Sequence, residues 1–274
     1  MPATTSFTRP IWIAFKACFA TDEKRRQIVK ENELDVYRAA SMASYLFRWM
    51  GLPLTWIFFL NGTDKHRAGG HRYAPHYKRF FGPYRWRKIK LLEIGIGGYK
   101  NSIGGRSITA WRWYFPFGKI VACDIQDKKI LETRGVTIYK VDQFSDQDLS
   151  RLIESEGAFD IIIDDGSHFS EHQIFTFEKL FPSLKDGGTY VVEDIQTSYW
   201  PDWGGRLIGD GGETCMTYFQ RLTHYLNACE FTGESPRNPK LEALGDQIST
   251  ISFHHNLIFI QKELLKKQSN VIVA

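Results

Sequence analysis

ISTISF (Ile248 to Phe253) and LIFIQKE (Leu257 to Glu263), joined only by His254-His255-Asn256, are the stretch whose reading decides the fold. Both segments have the β-branched and aromatic content of strands. A link this short forces them to run antiparallel, because a parallel pair needs a crossover of about a dozen residues or more. Upstream the order is different. KLLEIGIGG (Lys90 to Gly98), KIVACDI (Lys119 to Ile125), VTIYKVD (Val136 to Asp142), FDIIIDDGSH (Phe159 to His168) and TYVVEDI (Thr189 to Ile195) are five apolar runs of strand length. Helical patterns lie between them, over Ser107 to Phe115, Asp146 to Glu156 and Glu171 to Leu184. Lys185-Asp186-Gly187-Gly188 reads as a helix C-cap and turn, and an amphipathic helix is expected over about Glu213 to Cys229.

Alternation of this kind builds a doubly wound parallel sheet. The expected fold is therefore α/β and Rossmann-like: seven strands, five of them parallel, closed by a C-terminal antiparallel hairpin. A dinucleotide dehydrogenase would more often continue with parallel units. Residues 1–87 are expected to form a small, mainly helical N-terminal region, helical through Thr21 to Tyr45, and residues 88–274 the sheet domain.

The chain has 274 residues, 43% hydrophobic and 24% charged, the balance of an ordinary globular protein. A formal net charge of +4 gives no reason to expect a nucleic-acid partner. Lys24-Arg25-Arg26 and Lys266-Lys267 read as solvated helix ends. Cys18, Cys123, Cys215 and Cys229 form no CxxC pair, which argues against a disulfide framework or a zinc site and fits a reducing, cytoplasmic setting. The N-terminus lacks the order of a signal peptide. YLFRWMGLPLTWIFFL (Tyr45 to Leu60) is too short to span a bilayer and is interrupted by Arg48, Gly51 and Pro53. It reads as a buried helix-turn-helix or a subunit contact in a homo-oligomer, with membrane-surface contact as the alternative.

In a doubly wound sheet, ligands bind beyond the carboxyl ends of the strands, where strand order reverses. Glu93, Gly95, Gly97 and Gly98 close the first strand, and Lys100 stands where a dinucleotide site would have its third glycine. Asp124 and Ile125 end the second strand, where a carboxylate can accept hydrogen bonds from ribose hydroxyls. Asp142 and Gln143 end the third, a usual place for adenine contacts; the competing reading of Asp142 is a turn or helix cap. Together these ends indicate an adenosine-bearing cofactor.

The fourth and fifth strands end in Asp164-Asp165-Gly166-Ser167-His168 and Glu193-Asp194. Carboxylates crowded together repel and call for a cation. Oxygen donors without cysteine suggest Mg²⁺ on Asp165, Glu193 and Asp194, with Asp164 facing the cofactor or the strand packing. His168 could then take a proton from a hydroxyl that attacks a sulfonium methyl group. The competing readings are helix capping by the aspartates and a hydrogen-bonding role for His168 behind the ligands.

EIGIGGY, GGRSITAWRWYFP, FDIIIDDGSHFSEHQ and GGTYVVEDIQTSYWP resemble class I S-adenosylmethionine-dependent methyltransferases, specifically the metal-dependent sugar O-methyltransferases of macrolide biosynthesis, of the mycinamicin VI and demethylmacrocin type. The resemblance covers about Asn61 to Gly205. It implies S-adenosylmethionine and Mg²⁺ as cofactors, Mg²⁺ on Asp165, Glu193 and Asp194, and His168 as general base. It also implies cofactor contacts from Glu93, Gly95, Ser107, Asp124, Asp142 and Gln143, and from a segment holding Thr63, His71 and Tyr73. The acceptor it implies is a hydroxyl of a sugar or glycosylated natural product, on which Tyr199, Trp200 and Trp203 could stack or over which they could form a lid. The N-terminal region departs from the family, which carries a larger auxiliary domain there. Methylation of a phenol or catechol, a non-catalytic S-adenosylmethionine-binding protein and a nicotinamide oxidoreductase are the alternatives.

Overall fold

The computed structural model describes residue 10 and residues 12–13, 22–66, 71–98, 102–233, 237–264 and 267–269; Lys100 and Lys266 lie outside these. Seven strands, β1 (Lys90–Ile94), β2 (Lys119–Asp124), β3 (Val136–Lys140), β4 (Phe159–Asp164), β5 (Leu184–Glu193), β6 (Ile248–His254) and β7 (Leu257–Lys262), form one sheet in the order β3-β2-β1-β4-β5-β7-β6. β4 pairs parallel with β1 and β5, whereas β7 runs antiparallel to both β5 and β6. The chain moves from β1 outward through β2 and β3, then restarts on the other side of β1 with β4. That reversal puts the switch point between the carboxyl ends of β1 and β4. The expected fold, five parallel strands and a closing hairpin, is the observed one.

By compactness the described residues divide into two units that interleave along the chain. One takes in residues up to Ile89, Ile96–Ala122 and Asp127–Tyr139. It contains α1 (Asp22–Glu31), α2 (Glu33–Phe47), α3 (Leu54–Asn61), α4 (Ala74–Phe81) and α5 (Arg106–Tyr114). Its core is aromatic: Trp111 of α5 meets Phe58 and Tyr77 edge-on, each with ring centroids 5.0 Å apart, and Phe81 at 5.7 Å. Pairs of this geometry add about 0.5–1.5 kcal/mol each beyond their area. Every residue of α5 after Arg106 is buried. The Tyr37 hydroxyl of α2 donates to the Leu131 carbonyl at 2.7 Å, and burial raises its pKa.

The stretch Tyr45 to Leu60 departs from the buried helix pair expected of it. Leu54, Ile57 and Phe58 are buried, but Leu46, Phe47, Trp49, Met50, Trp56, Phe59 and Leu60 stand exposed. α3 is apolar on both faces and only one face meets α5, so hydrophobicity alone did not determine which residues were covered.

The other unit takes in Lys90–Gly95, Cys123–Gln126 and Lys140 onward. It contains α6 (Asp146–Glu156), α7 (Ser170–Leu180), α8 (Cys215–Tyr225) and α9 (Pro239–Gly245). Phe177 of α7 packs on Phe219 of α8 at 4.8 Å and on Tyr190 of β5 at 5.2 Å. β5 begins five residues earlier than the sequence reading has it. Lys185 to Gly188 belong to the strand as an irregular insertion opposite Phe159 and Ile161, where the register shifts. Helix α7 ends at Leu180, ahead of Pro182, which cannot donate to a continuing helix. Cys123 and Cys215 are buried free thiols, and Cys229 is an exposed one.

Candidate active site

The β1 and β4 ends approach each other closely. Gly95 donates its N–H to the Cys123 carbonyl at 2.9 Å and has φ +77°. A Cβ there would lie 2.1 Å from the Asp165 carbonyl oxygen, so only glycine lets the two turns meet. Asp165 in turn donates its N–H to the Ile94 carbonyl at 2.9 Å.

Beyond this contact, two strand ends form a cluster. One potential ligand atom from each of Asp165, His168 and Asp194 lies within 4.8 Å of the other two. His168 Nε2 stands 3.7 Å from Asp194 Oδ2 and 4.0 Å from Asp165 Oδ1, with all three side chains 12–22% exposed. The Nδ1 atom of His168 is buried and makes no hydrogen bond. Both His168 (φ +60°) and Asp194 (φ +56°) are left-handed; Asn256 is the only other such non-glycine residue among the described residues. That conformation costs a non-glycine residue of order 1–3 kcal/mol and persists only where neighbours enforce it. Thr197 is the neighbour here. Its hydroxyl lies 2.7 Å from the His168 carbonyl and 3.0 Å from that of Asp194, donating to both sites in turn, while its N–H donates to the Asp194 carbonyl at 3.2 Å.

Glu193, expected as a ligand, is 1% exposed and is not in the clustered group; its carbonyl accepts from Gln173 Nε2 at 2.8 Å. The sequence set and the geometric set therefore share Asp165 and Asp194. Two part-buried carboxylates whose oxygens lie close together suit a hard cation such as Mg²⁺. An imidazole ligand would suit a softer metal better, which favours leaving His168 to proton transfer.

Behind this cluster, Asp164 is fully buried, and burial pushes its carboxyl up to about 7. Its Oδ1 accepts from the Gly166 N–H and from Gln143 Nε2, both at 3.3 Å. Gln143 Oε1 accepts the Ser167 N–H at 2.6 Å, and Gln143 Nε2 also donates to Thr176 at 3.2 Å. The Gln143 amide thereby holds the Asp164–Ser167 turn. Gly166 leaves the space: a Cβ there would lie 2.0 Å from Gln143 Oε1. Asp142 Oδ1 accepts from the Phe144 N–H at 2.9 Å, a turn-capping role, while Ser145 caps α6. Asp124 Oδ1 likewise accepts from the Gln126 N–H at 2.9 Å, and Ile125 beside it is 65% exposed. Glu93 is fully buried at the end of β1.

The remaining expected cofactor residues lie in the first unit. Thr63 is buried, with its hydroxyl lacking a hydrogen-bond partner. Ser107 is buried in the first turn of α5, and Gly97 has φ +69° with open space around its Cβ direction. Nearby residues line a cavity of about 290 Å³, among them Glu33, Phe59, Asn61, Ile103 and Arg106. Arg106 donates to the Gly62 carbonyl at 3.1 Å, and Glu33 accepts the Ile103 N–H at 2.6 Å. Sequence reading missed these, along with Thr197 and Gln173. Only Thr197 carried a signal, three residues past the acidic pair.

No protein-family model matches the chain. It is 38% identical over 205 residues to the 8-demethyl-8-alpha-L-rhamnosyl tetracenomycin-C 2'-O-methyltransferase of Streptomyces olivaceus, covering 74% of this chain and 52% of that protein. It is 39% identical over 195 residues to the demethylmacrocin O-methyltransferase of Streptomyces fradiae, covering 70% and 49%. Among solved structures, MycE, a methyltransferase of the mycinamycin biosynthetic pathway in complex with Mg and SAH, superposes with a TM-score of 0.73 at 34% identity, over 77% of this chain and 55% of MycE. The chain spans about half the length of the curated relatives it matches. At this level of identity the chain is similar in sequence to these O-methyltransferases and in fold to MycE.

Proposed function

We propose that this chain transfers a methyl group from S-adenosylmethionine to a hydroxyl of a sugar on a glycosylated natural product, with Mg²⁺ as the assisting cation. The observation that carries this reading is the cluster of Asp165, His168 and Asp194 at the switch-point side of the sheet. Its support is the similarity to MycE, which has been solved with Mg, SAH and mycinamycin VI together.

Asp165 and Asp194 would hold the cation, with Glu193 as the third carboxylate. What Mg²⁺ supplies when bound is local positive charge, which offsets the carboxylates and favours loss of a proton from a nearby hydroxyl. What S-adenosylmethionine supplies is the electrophilic methyl group. His168 would accept the acceptor's proton at Nε2, which lies 3.7 Å from Asp194 Oδ2 and 4.0 Å from Asp165 Oδ1. Thr63, Glu93, Gly95, Gly97, Ser107, Asp124, Ile125, Asp142, Gln143 and Asp164 are the proposed cofactor-binding residues. Gln143 also fixes the turn that carries Asp165. The division at residue 88, with residues 1–87 as auxiliary region and 88–274 as methyltransferase domain, belongs to the same proposal.

Calorimetric titration with S-adenosylhomocysteine, with Mg²⁺ and with EDTA, tests the cofactor. Turnover of rhamnosylated polyketides against catechols then tests the acceptor. Saturable binding with transfer to the sugar supports the reading; binding with transfer only to the catechol replaces the acceptor class. A folded sample that binds no cofactor overturns it.

A further inference from the structure

We infer that the surface formed by residues 46–60, together with Trp86 and Phe117, docks on an anionic lipid bilayer. This inference is independent of the methyl-transfer reading. It begins with α3. Leu54, Ile57, Phe58 and Asn61 face inward, and Trp56, Phe59 and Leu60 form an outward stripe at the i, i+3, i+4 spacing. Trp56 is 59% exposed, Phe59 56% and Leu60 55%. Immediately upstream, Trp49 and Met50 are 53% and 63% exposed. Trp49 packs edge-on against the exposed Phe117 at 5.1 Å, and Arg85 ties Trp86 to this surface by donating to the Leu52 carbonyl at 2.7 Å. A face this apolar on a folded protein requires a partner.

Charge selects the partner. Between Val36 and Leu92 the chain holds eleven Lys and Arg and a single carboxylate, Asp64. That segment carries +10, which leaves −6 for the rest of a chain whose total is +4. The modest overall charge therefore conceals a strongly basic segment. Lys78, Arg79, Arg87 and Lys88 are all exposed. The Arg48 guanidinium lies over the Tyr45 ring at 3.9 Å and the Trp49 ring at 5.0 Å, and Arg85 lies over Trp86 at 5.3 Å. Exposed tryptophan interleaved with arginine is the chemistry of the lipid headgroup boundary, where the ring enters the apolar layer and the cation meets phosphate. A second copy would set one basic segment against another. A nucleic acid would leave the aliphatic Leu46, Met50 and Leu60 without a counterpart. No helix among the described residues is long and apolar enough to cross a membrane, so the contact is with the surface.

The test is sedimentation of the full chain with vesicles of phosphatidylcholine alone and of an equal mixture of phosphatidylcholine and phosphatidylglycerol. Partition onto the mixed vesicles, weakened by salt, is expected, with little onto phosphatidylcholine. Arg87→Gln with Lys88→Gln lowers the partition coefficient about 25-fold, roughly fivefold per charge removed. Trp49→Ser and Trp56→Ser lower it about tenfold each. Thermal unfolding shows whether each variant folds, and the charge pair serves alone if the tryptophan variants do not. Absence of partition, or partition unchanged by these substitutions, overturns the inference. So does loss of a stable oligomer in the tryptophan variants while vesicle binding persists, or polyuridylate binding in place of vesicle binding.

Discussion

Thr197→Val removes one hydroxyl from the centre of the candidate site and keeps the side chain's shape, so no cavity forms. Thr197 is 2% exposed, and its hydroxyl is the donor that serves both left-handed residues, His168 and Asp194. The Asp194 carbonyl keeps the Thr197 N–H at 3.2 Å, so the principal loss falls on the His168 carbonyl. A lost buried hydrogen bond plus a desolvated carbonyl costs about 2 kcal/mol. For a chain of 274 residues that lowers the thermal midpoint by about 3–4 °C. The release of His168 and Asp194 from their positive φ is also expected to weaken Mg²⁺ binding about 10–100-fold, as loss of groups behind metal ligands does. Differential scanning calorimetry and calorimetric Mg²⁺ titration read the two effects separately. Thr197→Ser keeps the hydroxyl and should recover most of both. If the valine variant matches wild type in midpoint and Mg²⁺ affinity, or if serine is as damaging as valine, the role assigned to the hydroxyl is wrong.

Asp194→Asn retains a residue tolerant of the left-handed conformation but should abolish the Mg²⁺-induced rise in thermal midpoint, as should EDTA in wild type. His168→Asn should lower turnover about 10²–10⁴-fold while S-adenosylhomocysteine affinity, measured by calorimetry, stays within a factor of about two. Gly95→Ala sets a Cβ 2.1 Å from the Asp165 carbonyl at a positive φ and should destabilise the fold by about 2–4 kcal/mol in urea unfolding. Tyr37→Phe should cost about 1 kcal/mol near neutral pH. Burial raises the folded-state pKa of Tyr37, so its contribution is complete below the unfolded value of about 10 and fades as pH rises beyond it. Thermal midpoints of wild type and Tyr37→Phe should therefore converge in alkaline buffer.

What the sequence by itself determined is the order of strands and the residues at their ends. Apolar runs such as Ile161 to Ile163 and Tyr190 to Val192 form buried strands wherever the chain places them, and the short link at His254 to Asn256 permits only a hairpin. Local chemistry also brought Asp165, His168 and Asp194 to notice together. Only the tertiary structure decided how those residues are used. Periodicity does not report a left-handed φ at His168, because it is upheld by Thr197, 29 positions away. Nor does it report that the Gln143 amide braces the Asp164–Ser167 turn, since the two meet across 21 and 24 positions of the chain. Helix α9 escaped sequence reading because it is only seven residues long and is set by the Asn238 cap and Leu241 and Leu244 packing inward. The stretch from Tyr45 to Leu60 is the clearest case. Its hydrophobicity is plain in the sequence, but which of its side chains are covered depends on α3 turning a single face to α5, and a helix apolar all round gives no local sign of which face that is.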